Sequence, residues 1–210
     1  MLTAARTTLI ILLALLALTA ASVAVGQDSD EAVDERIVEV ERLASEVERN
    51  PDDIELLIEL GNLYYEVGMD NEALATYLSV TEIDTTHVGA LTNLGSLYTE
   101  MGQFDNAEAR LLQAARLAPD NAMVFTNLGS NHYARREYVE AVDMYRKALS
   151  IDPDSVEAHF NMAVAFADAQ IFDEAIDEWQ KVIALDPQGE IAQICRDNID
   201  MINEFRRGNQ

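Results

Sequence analysis

The chain has 210 residues, enough for one ordinary domain plus a tail, and 49% of them are apolar, so a sizeable core can be buried. Thirty-eight acids against 14 bases give a net charge of −24, which repels phosphate backbones and anionic lipid and so weighs against nucleic-acid binding and a basic membrane patch. The same charge attracts basic peptides or basic protein faces, although it also serves solubility alone.

The first elements read as an address. Arg6 and the free amine precede an apolar run from Leu9 to Val25, interrupted by Thr19 and Ser22, and small residues follow at Ser22-Val23-Ala24 and Ala24-Val25-Gly26. This pattern is that of a secretory signal peptide over 1–26. An uncleaved anchor formed by residues 9–25 is the alternative reading, since the run is near the lower limit of a membrane span. Either way the remainder is expected outside the cytoplasm, periplasmic or extracellular, because the positive charge precedes the run and acids follow it. Cys195 is the single cysteine, so one chain can form neither a disulfide nor a cysteine-based metal site.

Residues 27–53 divide into an acidic spacer from Asp28 to Glu35 and a helix marked by Ile37, Val40, Leu43, Ala44 and Val47. Asn50-Pro51 ends that helix, because a residue before proline avoids the helical region. The segment has the character of a terminal cap over an exposed apolar end.

A 34-residue period then sets in. Leu60-Gly61 is followed at that spacing by Leu94-Gly95, Leu128-Gly129 and Met162-Ala163, and Ala73 by Ala107, Ala141 and Ala175. The frames run 54–87, 88–121, 122–155 and 156–189, each with two helices. The small residue beside Leu or Met permits close approach, and Tyr64, Tyr98, His132 and Phe166 follow it as gap-fillers. Tyr77, Leu111, Tyr145 and Trp179 lie four residues after each alanine, on the same helical face. Pro51-Asp52-Asp53, Pro119-Asp120-Asn121 and Pro153-Asp154-Ser155 end one helix and cap the next, and His87 takes the cap position in its frame. Gly68 and Gly102 mark the turn inside their frames, whereas Arg136 and Gln170 at the matching places imply turns of another kind.

A period of this length is the signature of a repeat array. The spacing of Leu-Gly, Tyr, Ala, a large apolar residue and Pro resembles the tetratricopeptide repeat family over residues 54–189, with Leu57, Leu91, Phe125 and His159 replacing its initial tryptophan. The resemblance implies an all-α, right-handed α-solenoid of helix-turn-helix repeats, with a concave face lined mainly by the first helices. In residues 190–210, Ile191, Ile194, Cys195, Ile199, Ile202 and Phe205 form one apolar stripe with polar residues between and no Leu-Gly pair, and the segment reads as a C-terminal capping helix.

On that resemblance the concave face is the functional surface. Asn93, Asn127 and Asn161 fall on one ridge, one per repeat, with Glu59 at the matching place of the first frame. Similar asparagines in the superhelical domain of O-linked N-acetylglucosamine transferases grip an extended peptide backbone, since one amide supplies both a donor and an acceptor. Hydrogen bonding to a neighbouring helix is the plainer role. Asn62 and Asn93 match two places of the carboxylate clamp of chaperone-tail-binding co-chaperones, but Ile58, Met123 and Asn127 stand where its basic residues belong, which argues against that activity. Tyr65, Met123, Tyr133 and Phe160 are candidate groove anchors or inter-repeat packing residues, and Glu66, Glu100 and Asp168 make the groove acidic.

No metal-ligand spacing, phosphate loop, nucleophile elbow or acid–base motif is present, so no cofactor and no enzyme activity is expected. The reading is a non-catalytic scaffold binding a protein or peptide partner, basic by charge, in assembly of an envelope complex. The junction Asn50-Pro51-Asp52-Asp53 resembles, generically, the periplasmic tetratricopeptide parts of cytochrome c maturation systems. Membrane contact is expected only through the N-terminal segment. The alternative is a self-associating structural subunit, a homo-oligomer, through Ile194, Ile199 and Phe205.

Overall fold

The computed structural model describes residues 30–208, so the apolar run over 9–25 and its cleavage lie outside the described residues. The described residues form ten helices and no strand. They are α1 (Asp30–Arg49), α2 (Ile54–Glu66), α3 (Asp70–Ile83), α4 (Val88–Glu100), α5 (Phe104–Leu117), α6 (Ala122–Ala134), α7 (Tyr138–Ile151), α8 (Val156–Asp168), α9 (Phe172–Leu185) and α10 (Glu190–Gly208). From α2 to α9 the lengths alternate 13 and 14 residues, pair after pair. None is long and apolar enough to cross a membrane.

The acidic spacer expected over 28–35 is corrected at its C-terminal part: α1 already begins at Asp30. An acidic run is compatible with the positive end of a helix, so charge alone did not mark a linker there. α1 ends where Asn50-Pro51 requires.

Side chains set each boundary. Asp53 Oδ1 accepts from the N–H groups of Glu55 and Leu56 at 3.1 and 3.2 Å, Asn121 Oδ1 from Met123 at 3.1 Å, and Ser155 Oγ from Ala158 at 3.3 Å. His87 Nδ1 accepts from Ala90 N–H at 3.0 Å. Each bond satisfies a helix-start donor that would otherwise lack a partner.

The turn inside each pair is the same motif four times. The N–H groups of Gly68, Gly102, Arg136 and Gln170 donate to the carbonyls of Tyr65, Thr99, Tyr133 and Ala167. The following N–H groups, of Met69, Gln103, Glu137 and Ile171, reach one residue further back, to Tyr64, Tyr98, His132 and Phe166. This nested pair closes a Schellman-type helix end. Arg136 (φ 65°) and Gln170 (φ 62°) adopt the left-handed conformation of Gly68 (φ 76°) and Gly102 (φ 71°), so the expected different turn is corrected. The two hydrogen bonds hold the turn, and the non-glycine residues carry its strain.

Two compact units divide the chain between Leu97 and Tyr98, inside α4. In the first, Val40, Leu43 and Val47 of α1, Leu57, Leu60 and Tyr64 of α2, and Ala73, Tyr77 and Val80 of α3 are buried. Gly61 is where α2 meets α3: a β-carbon there would lie 2.6 Å from Tyr77 Cε1. The large residue of the second helix therefore fills the space that the glycine leaves. In the second unit a core of Ala141, Tyr145, Met162, Ala163, Phe166, Ala175, Trp179 and Val182 runs through α7, α8 and α9.

α10 closes this core with Ala192, Cys195 and Ile202, and with Ile199 packed alongside. The single stripe expected on α10 is thus corrected. Ile191, Ile194 and Phe205 are exposed, together with Met201, whereas Ile199 belongs to the core side.

His159 is a buried hydrogen-bonding centre. Its Nδ1 lies 2.6 Å from Glu178 Oε2 and its Nε2 3.0 Å from the Pro153 carbonyl, while Lys181 Nζ donates to Glu178 Oε1 at 2.7 Å.

Candidate functional site

In the first unit, α2 places Asn62 two residues beyond Leu60, on the exposed edge of the buried stripe. α3 brings Tyr77 behind it, and the phenol donates to Asn62 Oδ1 at 2.7 Å. α4 brings Asn93, whose Nδ2 donates to the same oxygen at 3.1 Å. One carbonyl oxygen thus ties three helices together. The cavity beside it holds about 280 Å³ and is lined by Asn62, Tyr65, Glu66, Tyr77, Asn93 and Ser96.

The polar bookkeeping of this cluster defines what it can do. Asn62 Oδ1 uses both lone pairs internally, which leaves Asn62 Nδ2 as a donor and Asn93 Oδ1 as an acceptor on the cavity wall. A peptide unit presents the complementary acceptor and donor. Burial pushes the Tyr77 hydroxyl up to about 12, opposed by a hydrogen bond from the Asn93 amide and reinforced by the Glu66 charge, so it remains protonated across the physiological range. Tyr65 is 42% exposed and offers an apolar wall, and Glu66 places a carboxylate at the rim.

The second unit carries a related but distinct cluster. Tyr133 on α6 donates to Asp168 Oδ2 on α8 at 2.6 Å, and its ring lies 5.9 Å from that of Tyr138. Tyr133, Ala134, Arg136, Tyr138 and Asp168 line about 490 Å³. Burial first, then the Asp168 carboxylate, push the Tyr133 hydroxyl up to about 12. Tyr145 meets Ser130 at 3.3 Å, the place-for-place equivalent of Tyr77 and Asn62, 68 residues on. A serine there supplies no amide.

Of the residues expected at the site, Asn62, Tyr65 and Asn93 meet around one cavity, and Tyr133 lines another. Asn127 and Asn161 are half-buried on α6 and α8 and line neither. Met123 is 58% exposed at the start of α6, and Phe160 packs against the core of the second unit. Sequence reading assigned Tyr77 to the core and missed its bond to Asn62. The 34-residue frame held a signal, since Tyr77/Asn62 and Tyr145/Ser130 recur as polar pairs two frames apart.

Among the described residues no group of three His, Cys, Asp or Glu is placed to hold a metal ion. Consecutive helix pairs, with polar and aromatic clusters shared between first and second helices, define an α-helical repeat protein of the protein-interaction class. Family models described as Tetratricopeptide repeat match residues 88–154 and 132–196, and the chain belongs to the tetratricopeptide repeat family.

Solved structures share the fold. A thermophilic TPR protein in Thermus thermophilus aligns with a TM-score of 0.72 and 19% identity, over 81% of this chain and 93% of that one. A crystal structure of MamA gives 0.63 and 22%, over 79% and 98%. MamA from Desulfovibrio magneticus RS-1 gives 0.63 and 17%, over 88% and 97%. At such identities the likeness is one of fold. No curated protein sequence matches the chain.

Proposed function

We propose that the protein is a non-catalytic scaffold that holds an extended segment of a partner protein against α2 and α4. The observation that carries this reading is the shared oxygen of Asn62: by taking two internal bonds it fixes both amides and leaves one donor and one acceptor facing the cavity. A preorganised pair binds a peptide unit without the entropy cost of ordering free side chains. Glu66 and the net charge of −24 favour Lys or Arg in the bound segment. We further propose that the chain is exported, by the apolar segment at 9–25, and serves assembly of an envelope complex.

The test is fluorescence anisotropy with a set of labelled extended peptides, basic, neutral and acidic. It compares wild type with Asn62→Ala and Glu66→Lys variants that melt cooperatively. The expected result is preference for basic peptides, with affinity about tenfold lower in Asn62→Ala, the equivalent of roughly 1.4 kcal/mol. Equal binding by wild type and Asn62→Ala would remove the cavity from the function. Fractionation with N-terminal sequencing of the mature chain tests export, and a chain recovered intact from the cytoplasm would refute it.

A further inference from the structure

α10 closes the core of the second unit with one face and leaves a second apolar face open. Ile191, Ile194, Met201 and Phe205 are 43%, 48%, 67% and 59% exposed. With Asn198 they are spaced three, four, three and four residues apart, the a and d spacing of a two-helix seam, with a polar residue at the central a position. This stripe of four large apolar side chains on one helix face is more than the singly scattered apolar residues of an ordinary surface. It is also held in place. The Phe205 ring meets Phe172 edge-on at 6.0 Å, and Arg206 donates to Asp173 at 2.8 Å.

The flanks of the seam decide what covers it. On the open side the g positions are Glu190, Asp197 and Glu204, all exposed and all acidic. In an antiparallel pair g meets g, so a second copy would set these three acids against the same three. In a parallel pair g meets e, but the e positions are Cys195 and Ile202, which are already buried. Charges at e and g select the partner of a helical seam, and like charges there exclude it.

We infer that this face of α10 docks an amphipathic helix of a different protein, one with an apolar stripe flanked by Lys or Arg. A polar residue opposite Asn198 sets its register. The occupant is a basic helix, not a second copy of the chain, and the docking is separate from the cavity on α2 and α4.

The probe is a labelled 21-residue helical peptide with Leu at a and d, one central Asn at a, and Lys at e and g. Its control carries Glu in place of Lys. Both are titrated into the full chain by anisotropy. The Lys peptide is expected to bind at least tenfold more tightly than the Glu peptide. The variant Ile194→Asp with Met201→Asp, altered only at exposed positions, is expected to lose at least tenfold of that affinity. Asp197→Lys with Glu204→Lys is expected to reverse the preference, and circular dichroism verifies that both variants are helical.

Failure of the Lys peptide to bind would overturn the inference. So would unchanged binding by the Asp variant, which would place capture elsewhere on the acidic surface, or a preference that the charge reversal leaves intact. Light scattering of the chain alone is the last arm. A dimer dissolved by Ile194→Asp with Met201→Asp would assign the face to a second copy and overturn it too.

Discussion

The Tyr145 ring occupies the space that a side chain on Gly129 would need: a β-carbon built there would lie 2.5 Å from Tyr145 Cε1. Gly129 and Tyr145 are both fully or nearly fully buried, so neither can yield toward solvent. Gly129→Ala is therefore expected to destabilise the protein by about 1–3 kcal/mol, the usual cost of overpacking a filled core. Urea unfolding checks it, and an unchanged midpoint would mean that the ring has room to move. Gly61→Ala repeats the experiment against Tyr77 and should in addition weaken any ligand of the Asn62 cavity.

Tyr64 is fully buried, and its hydroxyl has no hydrogen-bond partner among the described residues. An unpartnered buried hydroxyl forfeits its hydration without return. Tyr64→Phe is expected to raise stability by about 1 kcal/mol at neutral pH, read as a higher melting temperature.

Alkaline pH tests the same tyrosine and Tyr145 from another side. Burial pushes both hydroxyls up to about 12, whereas an unfolded tyrosine ionises near 10. Between these values the folded state keeps protons that the unfolded state has released, so stability falls as pH rises. The contribution is complete below about 10 and is lost as pH rises through about 12. Tyr64→Phe should make the loss between these pH values shallower. A slope equal to that of wild type would mean that Tyr64 ionises as it does in the unfolded chain.

Gln170 holds a left-handed turn at φ 62° in the place that Gly68 and Gly102 take in their own pairs. Relief of its strain, about 1 kcal/mol or more, outweighs the added entropy of glycine in the unfolded chain. Gln170→Gly is expected to gain about 0.5–1 kcal/mol by thermal or urea unfolding. A loss would show that the side chain stabilises the turn.

Glu178 stands between His159 and Lys181 with only 9% of its surface exposed. Glu178→Ala strands the His159 ring against the Pro153 carbonyl alone and leaves a cavity. The expected cost is about 2–4 kcal/mol. Recovery of most of it in a His159→Phe, Glu178→Leu double variant would identify the pair as a polar substitute for ordinary core packing.

The sequence made the repeat legible because its markers are local. Leu60, Leu94, Leu128 and Met162 recur at one spacing, and the caps Asp53, Asn121 and Ser155 lie where proline and aspartate announce them. Two readings failed where backbone geometry overrode residue preference. Arg136 and Gln170 follow the glycine turn because the surrounding hydrogen bonds determine it, and the acids after Asp30 form helix where charge suggested a linker. The candidate site was half legible. Asn62, Tyr65 and Asn93 could be placed on one surface by periodicity, but the bond from Tyr77 joins residues 15 apart through a side-chain orientation that periodicity does not specify. The two faces of α10 were merged for a related reason: Cys195 and Ile194 are adjacent in sequence, and only the contact with the preceding helix separates them.

Cys195 gives the last helix a built-in clock. Its thiol is fully buried in the seam between α10 and the core, and burial pushes it up to about 11, so near neutral pH almost none of it is the nucleophilic thiolate. An alkylating reagent must wait for α10 to lift away. When reclosing is faster than alkylation, the labelling rate reports the free energy of that one opening, separately from unfolding of the remaining helices. The single cysteine thus measures how firmly the end of the array is shut.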